Sequence, residues 1–130
     1  MYSPLSDAFE FVALISQGQY FDINTIPFQA RKLFSLGRFL RARILRRPMV
    51  ELLGDYHDLQ RLKNALQGFD LVHCLDPMYY YTYQAAKAKQ GTNFKLVLTV
   101  WENIPFLHHN RAAARHKEVI FDQVDLLLPV

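Results

Sequence analysis

Apolar residues along the 130-residue chain fall into short continuous runs separated by stretches with helical spacing. Phe69 to Cys74 and Lys95 to Val100 carry no polar alternation, the pattern of strands covered on both faces in a parallel sheet. Glu10 to Ile15 and Leu126 to Val130 read as two further strands. Between the central pair, Asp76 supplies a side-chain acceptor and Pro77 a fixed φ, which predicts a helix from Pro77 to about Gln90 with Asp76 as N-cap. Gly91 is the expected left-handed C-cap.

Three more helical stretches follow from the same pattern. From Phe28 to Leu45 apolar positions share a face with arginines between them, broken at Gly37, and Pro48 is expected to end whatever precedes it. Leu59, Leu62 and Leu66 predict a helix from Asp58 to Gln67, stopped by Gly68. Asn110 to about Asp122 gives the last helix, and residues 20–27 read as loop. Strands alternating with helices argue for an α/β fold: a single domain, 1–130, with four parallel strands in one doubly wound sheet and helices on its faces. The first strand begins near the start and the last apolar run stops at Val130, so the chain is expected to continue beyond at least one end.

Composition narrows the class without fixing the function. Apolar residues make up 51% and charged residues 21%, which excludes a disordered polyelectrolyte. Cys74 is the only cysteine, so there is no disulfide framework and no cysteine-based zinc site, and a reducing compartment is the simpler assumption. No signal-peptide pattern and no run near 20 apolar residues is present, so the expectation is a cytoplasmic protein that at most lies against the inner face of a membrane. The formal charge of +3 hides a lopsided distribution. Between Asp22 and Glu51 there is no acid, while Arg31, Lys32, Arg38, Arg41, Arg43, Arg46 and Arg47 supply 7 of the 15 basic residues. That segment admits a solvated helical face, contact with an anionic membrane surface or lipid phosphate through Arg38, Arg41, Arg43, Arg46 and Arg47, or nucleic-acid binding. The last is disfavoured, since no nucleic-acid motif accompanies the charge.

Ligands of open parallel sheets bind where strands end at their carboxyl edge. Two loops leave that edge, carrying His73, Cys74 and Asp76 on one and Trp101, Glu102 and Asn103 on the other. Adjacent strands would bring Asp76 and Glu102 to one rim. Each residue has a plainer reading: Asp76 as a helix cap, Glu102 as a solvated loop carboxylate, His73 as a hydrogen-bonded core histidine, Cys74 as a buried filler, Trp101 as packing over the sheet edge. Of Tyr79, Tyr80, Tyr81 and Tyr83, at least two are expected to face the core. His108, His109 and His116 lack the spacing of a metal site, and no metal is expected. No dinucleotide or P-loop glycine pattern occurs, so the chain does not read as a self-sufficient nucleotide binder. A stand-alone hydrolase is disfavoured because no nucleophile elbow or Cys/His arrangement can be built.

Phe69–His73 (FDLVH), the tyrosine-rich helix start after Pro77, Lys95–Pro105 (KLVLTVWENIP) and Val119–Val130 (VIFDQVDLLLPV) together resemble the N-terminal domain of group 1 glycosyltransferases, the GT4-type enzymes of the GT-B fold. The resemblance spans Leu59 to Val130 and implies a Rossmann-like half of a two-domain enzyme that transfers a sugar from a nucleotide-sugar with retention of configuration. It implies that this half receives a sugar or lipid-linked acceptor and that a C-terminal domain, outside this sequence, holds the nucleotide-sugar donor, so no cofactor is expected here. The family's Gly-rich loop after the first strand is not found, and Trp101 stands where many members have histidine. Glu102 and Asn103, with Trp101, Asp76 and His73, are the acceptor-binding candidates, while the catalytic residues stay unassigned. The competing reading is a non-enzymatic α/β interaction module that uses the basic segment on a membrane or partner.

Overall fold

The computed structural model describes residues 8–17, 27–37, 43–55, 57–101 and 111–130. Its elements run β1 (Val12–Ser16), β2 (Gln29–Leu33), α1 (Arg43–Leu53), α2 (Leu62–Ala65), β3 (Leu71–Leu75), α3 (Tyr80–Lys89), β4 (Lys95–Val100), α4 (Arg111–Gln123) and β5 (Leu126–Pro129). All described strand pairs are parallel, so the α/β class holds, in an arrangement compatible with a Rossmann-like sheet. They form two small sheets, β1-β2 and β3-β4-β5, where one four-stranded sheet was expected.

The difference begins at Gln29–Leu33, which pairs with β1 in place of opening a helix. Its exposed positions include Arg31 and Lys32, charged side chains of the kind tolerated on a short outer strand. Leu14 and Leu33 still pack against the main core, so the small sheet shares it. Pro48 lies inside α1 and does not end it. Proline forfeits one backbone donor, but the helix closes again through Gly54 N–H to the Val50 carbonyl at 2.9 Å. Gly54 then stops it at φ 76°.

The core lies between the three-stranded sheet and α3 and α4, which pack on each other. Leu96, Leu98 and Cys74 share one sheet face and cluster with Ala85, Ala86 and Ile120 from the two helices. The alternate positions of the same strands form the opposite face. Val97 and Thr99 are buried there, but Leu71 is 56% and Leu126 52% exposed, so of the cover expected on both faces this one has it only at the central strand. Both crossover helices contribute to the same side of the sheet, which leaves the other side's outer leucines open.

Leu59, Leu62 and Leu66 are all buried, as their spacing predicts, yet only Leu62–Ala65 is helical. Tertiary hydrogen bonds explain the shortening. The buried Asp58 carboxylate accepts from Ser35 Oγ (3.0 Å), Leu36 N–H (3.2 Å), Gly37 N–H (3.0 Å) and Gln60 Nε2 (2.6 Å). Gln84 holds the Leu59 backbone from both sides, donating to its carbonyl and accepting from its N–H. Residues held this way are unavailable for a helical ladder, and the turn begins at Arg61 with φ 58°. Gly68, at φ 84°, stops it as expected.

Candidate functional site

The carboxyl ends of β3 and β4 meet in register, Leu75 opposite Thr99, and Asp76 N–H continues the ladder to the Thr99 carbonyl at 2.8 Å. Asp76 does not cap α3. It sits in the left-handed region at φ 58°, a conformation that aspartate tolerates when its side chain bonds locally. Here Asp76 Oδ1 accepts the Met78 N–H at 3.0 Å and the Asp76 carbonyl accepts from Thr82 Oγ1 at 3.0 Å. The residue is thus both the turn out of β3 and a carboxylate at the rim.

The cap of α3 comes from a distant loop. Tyr79 is the N-cap and offers no side-chain bond, and the first two helical N–H groups go to residues before α2. Tyr80 N–H donates to Asp55 Oδ2 at 3.1 Å and Tyr81 N–H to the His57 carbonyl at 3.0 Å. A carboxylate in this position also complements the helix dipole. Gly91 does not take the left-handed role either: α3 ends through Gln90 at φ −58°, and the positive-φ glycines among the described residues are Gly54 and Gly68.

The same Asp55 carboxylate orients an imidazole. His57 Nδ1 lies 2.8 and 2.9 Å from its two oxygens, the His57 side chain is 42% exposed, and its ring meets Tyr79 edge-on at 5.3 Å. Tyr79 stacks on Tyr81 at 5.1 Å, and Tyr81 Oη donates to the Leu75 carbonyl at 3.3 Å. Burial pushes the Tyr81 phenol up, so it stays a neutral donor. Asp55, His57, Tyr79 and Asp76 therefore gather where β3 gives way to α3.

Trp101 directly follows β4 at the same edge and is 59% exposed, so it is not packed down over the sheet. Glu102 and Asn103 lie outside the described residues, as do His108, His109, Arg38 and Arg41. Arg43, Arg46 and Arg47 belong to α1, with Arg47 exposed. His73 falls in mid-strand and not at the rim. Its Nε2 pairs with Thr99 Oγ1 at 2.8 Å on the sheet face away from the helices, and burial lowers its pKa. Cys74 is buried against α3 with its thiol pushed up to about 12, which leaves it an inert core residue.

Tyr81 and Tyr83 do pack on the core, as at least two of the four tyrosines were expected to. His116 stacks on Tyr83 with ring centroids 3.9 Å apart, fastening α4 to α3, and burial lowers its pKa. Among the described residues no group of three or more His, Cys, Asp or Glu side chains is placed to hold a metal ion. None of their helices is long and apolar enough to cross a membrane. Asp55 and His57 escape a sequence reading because they lie in an irregular loop and reach α3 only through the fold; the nearest signal is that two polar residues, Asp55 and His57, follow Gly54. Comparison with protein-family models, curated proteins and solved structures finds no match to this chain.

Proposed function

We propose that this chain is the acceptor-side half of a retaining glycosyltransferase, receiving a sugar or lipid-linked acceptor at the carboxyl edge of β3 and β4. The single observation that carries the reading is the company kept at that edge: the Asp76 turn and the exposed Trp101 end adjacent parallel strands, with the carboxylate-held imidazole of His57 and the Tyr79 ring beside the Asp76 turn. Sugars are bound by ring faces stacked on aromatic side chains and by hydroxyls bonded to carboxylates and imidazoles. The motif order from Phe69 to Val130 supports the same reading. In it, Trp101 is the stacking platform, Asp76 and Asp55–His57 orient hydroxyls, and Glu102 and Asn103 are acceptor candidates on the motif order alone. The nucleotide-sugar belongs to a C-terminal partner domain, because transfer needs oriented donors on the leaving diphosphate and the glycine loops that usually supply them are missing from this sequence.

Isothermal titration of the 130-residue chain against UDP- and GDP-sugars, beside unactivated saccharides, tests this division of labour. The expected result is weak saccharide binding, no nucleotide-sugar binding tighter than about 100 μM, and no transfer. Micromolar nucleotide-sugar binding would make this a donor site and overturn the proposal.

A second reading, an interaction module that touches an anionic membrane, is favoured by one feature. On the arginine-bearing α1, Leu52 is 76% exposed within the same short helix as the exposed Arg47.

A further inference from the structure

A groove of about 460 Å³ runs along the outside of α3, bounded by α2, and it belongs neither to the rim nor to the arginine-rich helix. Its lining includes three cations, Arg61, Lys63 and Lys87, together with Tyr80 and Tyr83, and no carboxylate. Among the described residues none of these cations has an ion pair; the salt bridges there involve His57, Lys89 and Lys95. Cations gathered without acids repel one another and raise the local concentration of anions.

The groove is also built before any ligand arrives. The two bonds between Gln84 and the Leu59 backbone clamp α3 to the segment entering α2. Tyr83 is fixed by its stack on His116, and Tyr80 lies 5.6 Å from Tyr83. The Lys63 amine lies 3.6 Å from where a Cβ on Gly91 would stand, so the charge reaches the carboxyl end of α3 while the tyrosines begin at its other end.

We propose that this groove binds a small phosphomonoester carried on a ring, its dianion held by Lys63, Lys87 and Arg61 and its ring body laid against Tyr80 and Tyr83. The site is independent of the acceptor reading. Three cations suit a compact dianion better than a single carboxylate, and tyrosine faces suit either a flat aromatic ring or the C–H face of a sugar. Inorganic phosphate satisfies only the cationic part of the groove and binds more weakly.

Isothermal titration at low salt with phenyl phosphate, glucose 1-phosphate, inorganic phosphate, phenol and glucose tests the assignment and separates the two ring classes. The wild-type chain is expected to bind at least one ring phosphate more tightly than its neutral parent, with phenol silent and the weak binding of glucose at the acceptor rim untouched by the groove variants. The double variant Lys63→Gln, Lys87→Gln should weaken that binding roughly tenfold or more, while its thermal melt stays that of the wild type, both side chains being exposed. Arg61→Asn, which tolerates the left-handed backbone there, should weaken it as well. Unchanged affinity in the double variant, equal binding of phenol or glucose, or no saturable binding of either ring phosphate would overturn the proposal.

Discussion

Asp55 and Tyr80 are joined across the fold by a 3.1 Å bond from the Tyr80 backbone N–H to Asp55 Oδ2, so the carboxylate that orients His57 is also the cap of α3. Cap and candidate site are therefore one object. Asp55→Ala should destabilise the chain by about 1–2 kcal/mol, the usual worth of a helix cap, and release the His57 ring. Urea unfolding reads the first effect, and the His57 ring resonances in an NMR spectrum read the second. A stable Asp55→Ala chain with unmoved His57 signals would contradict both roles, and one effect without the other would separate them.

Gly54 carries two constraints at once. Its φ is 76°, and a Cβ there would stand 3.0 Å from the Ala113 backbone nitrogen on α4. Gly54→Ala should cost roughly 1–3 kcal/mol through backbone strain and the loss of close approach between the end of α1 and α4. The same change at Gly68 meets nothing within 4 Å and should show the backbone cost alone. Comparing the two unfolding midpoints isolates the contact.

Asp125 ties the β5 entrance to the rest of the sheet. It accepts from Lys89 Nζ, from Leu96 N–H at 2.7 Å and from Lys95 Nζ at 3.3 Å. The Lys89 bond first, then the Leu96 N–H, holds its pKa down at about 2 against an ordinary 3.8. A folded-state value below the unfolded one means that the charged form stabilises the fold above about pH 4, and that this contribution is lost as pH falls towards 2. Thermal melts of wild type and Asp125→Asn should therefore differ at pH 5 and converge towards pH 2. A gap that stays constant over that window would show that the carboxylate's charge contributes nothing.

The basic segment makes a separate prediction. If α1 touches membranes, the chain should float with anionic vesicles at low salt and release as salt rises, since surface attraction is worth about 1 kcal/mol per basic residue and is screened within a Debye length. Arg47→Glu should weaken flotation. Equal behaviour with neutral and anionic vesicles leaves Arg47 a solvated residue.

Periodicity made β4, α4 and β5 legible almost to their ends, because each is an apolar run or an amphipathic stripe bounded by polar residues. It failed where one side chain bonds across the fold. The Asp58 carboxylate and the Gln84 amide cut the helix predicted over Asp58 to Gln67 to a single turn, and pairing with β1 turned the start of a predicted helix into β2. The AspPro pair has the composition of a helix start, but Asp76 spends its side chain on the Met78 N–H and the cap comes from Asp55, 25 positions before Tyr80. Asp76 and Trp101 were legible as rim residues since each directly follows a strand marked by an apolar run. Asp55 and His57 were not, because nothing local marks a loop that will cap a distant helix.

Trp101 is the chain's single tryptophan and stands exposed at the proposed acceptor rim, so its fluorescence reports on that rim alone. The most direct test is a fluorescence titration with mono- and disaccharides on wild type, Asp76→Asn and His57→Ala. A saturable change with at least one saccharide is expected, weakened several-fold in both variants, by about 1 kcal/mol for each lost hydrogen bond. A Trp101 signal that ignores every saccharide, or one that responds equally in all three proteins, would contradict the acceptor reading.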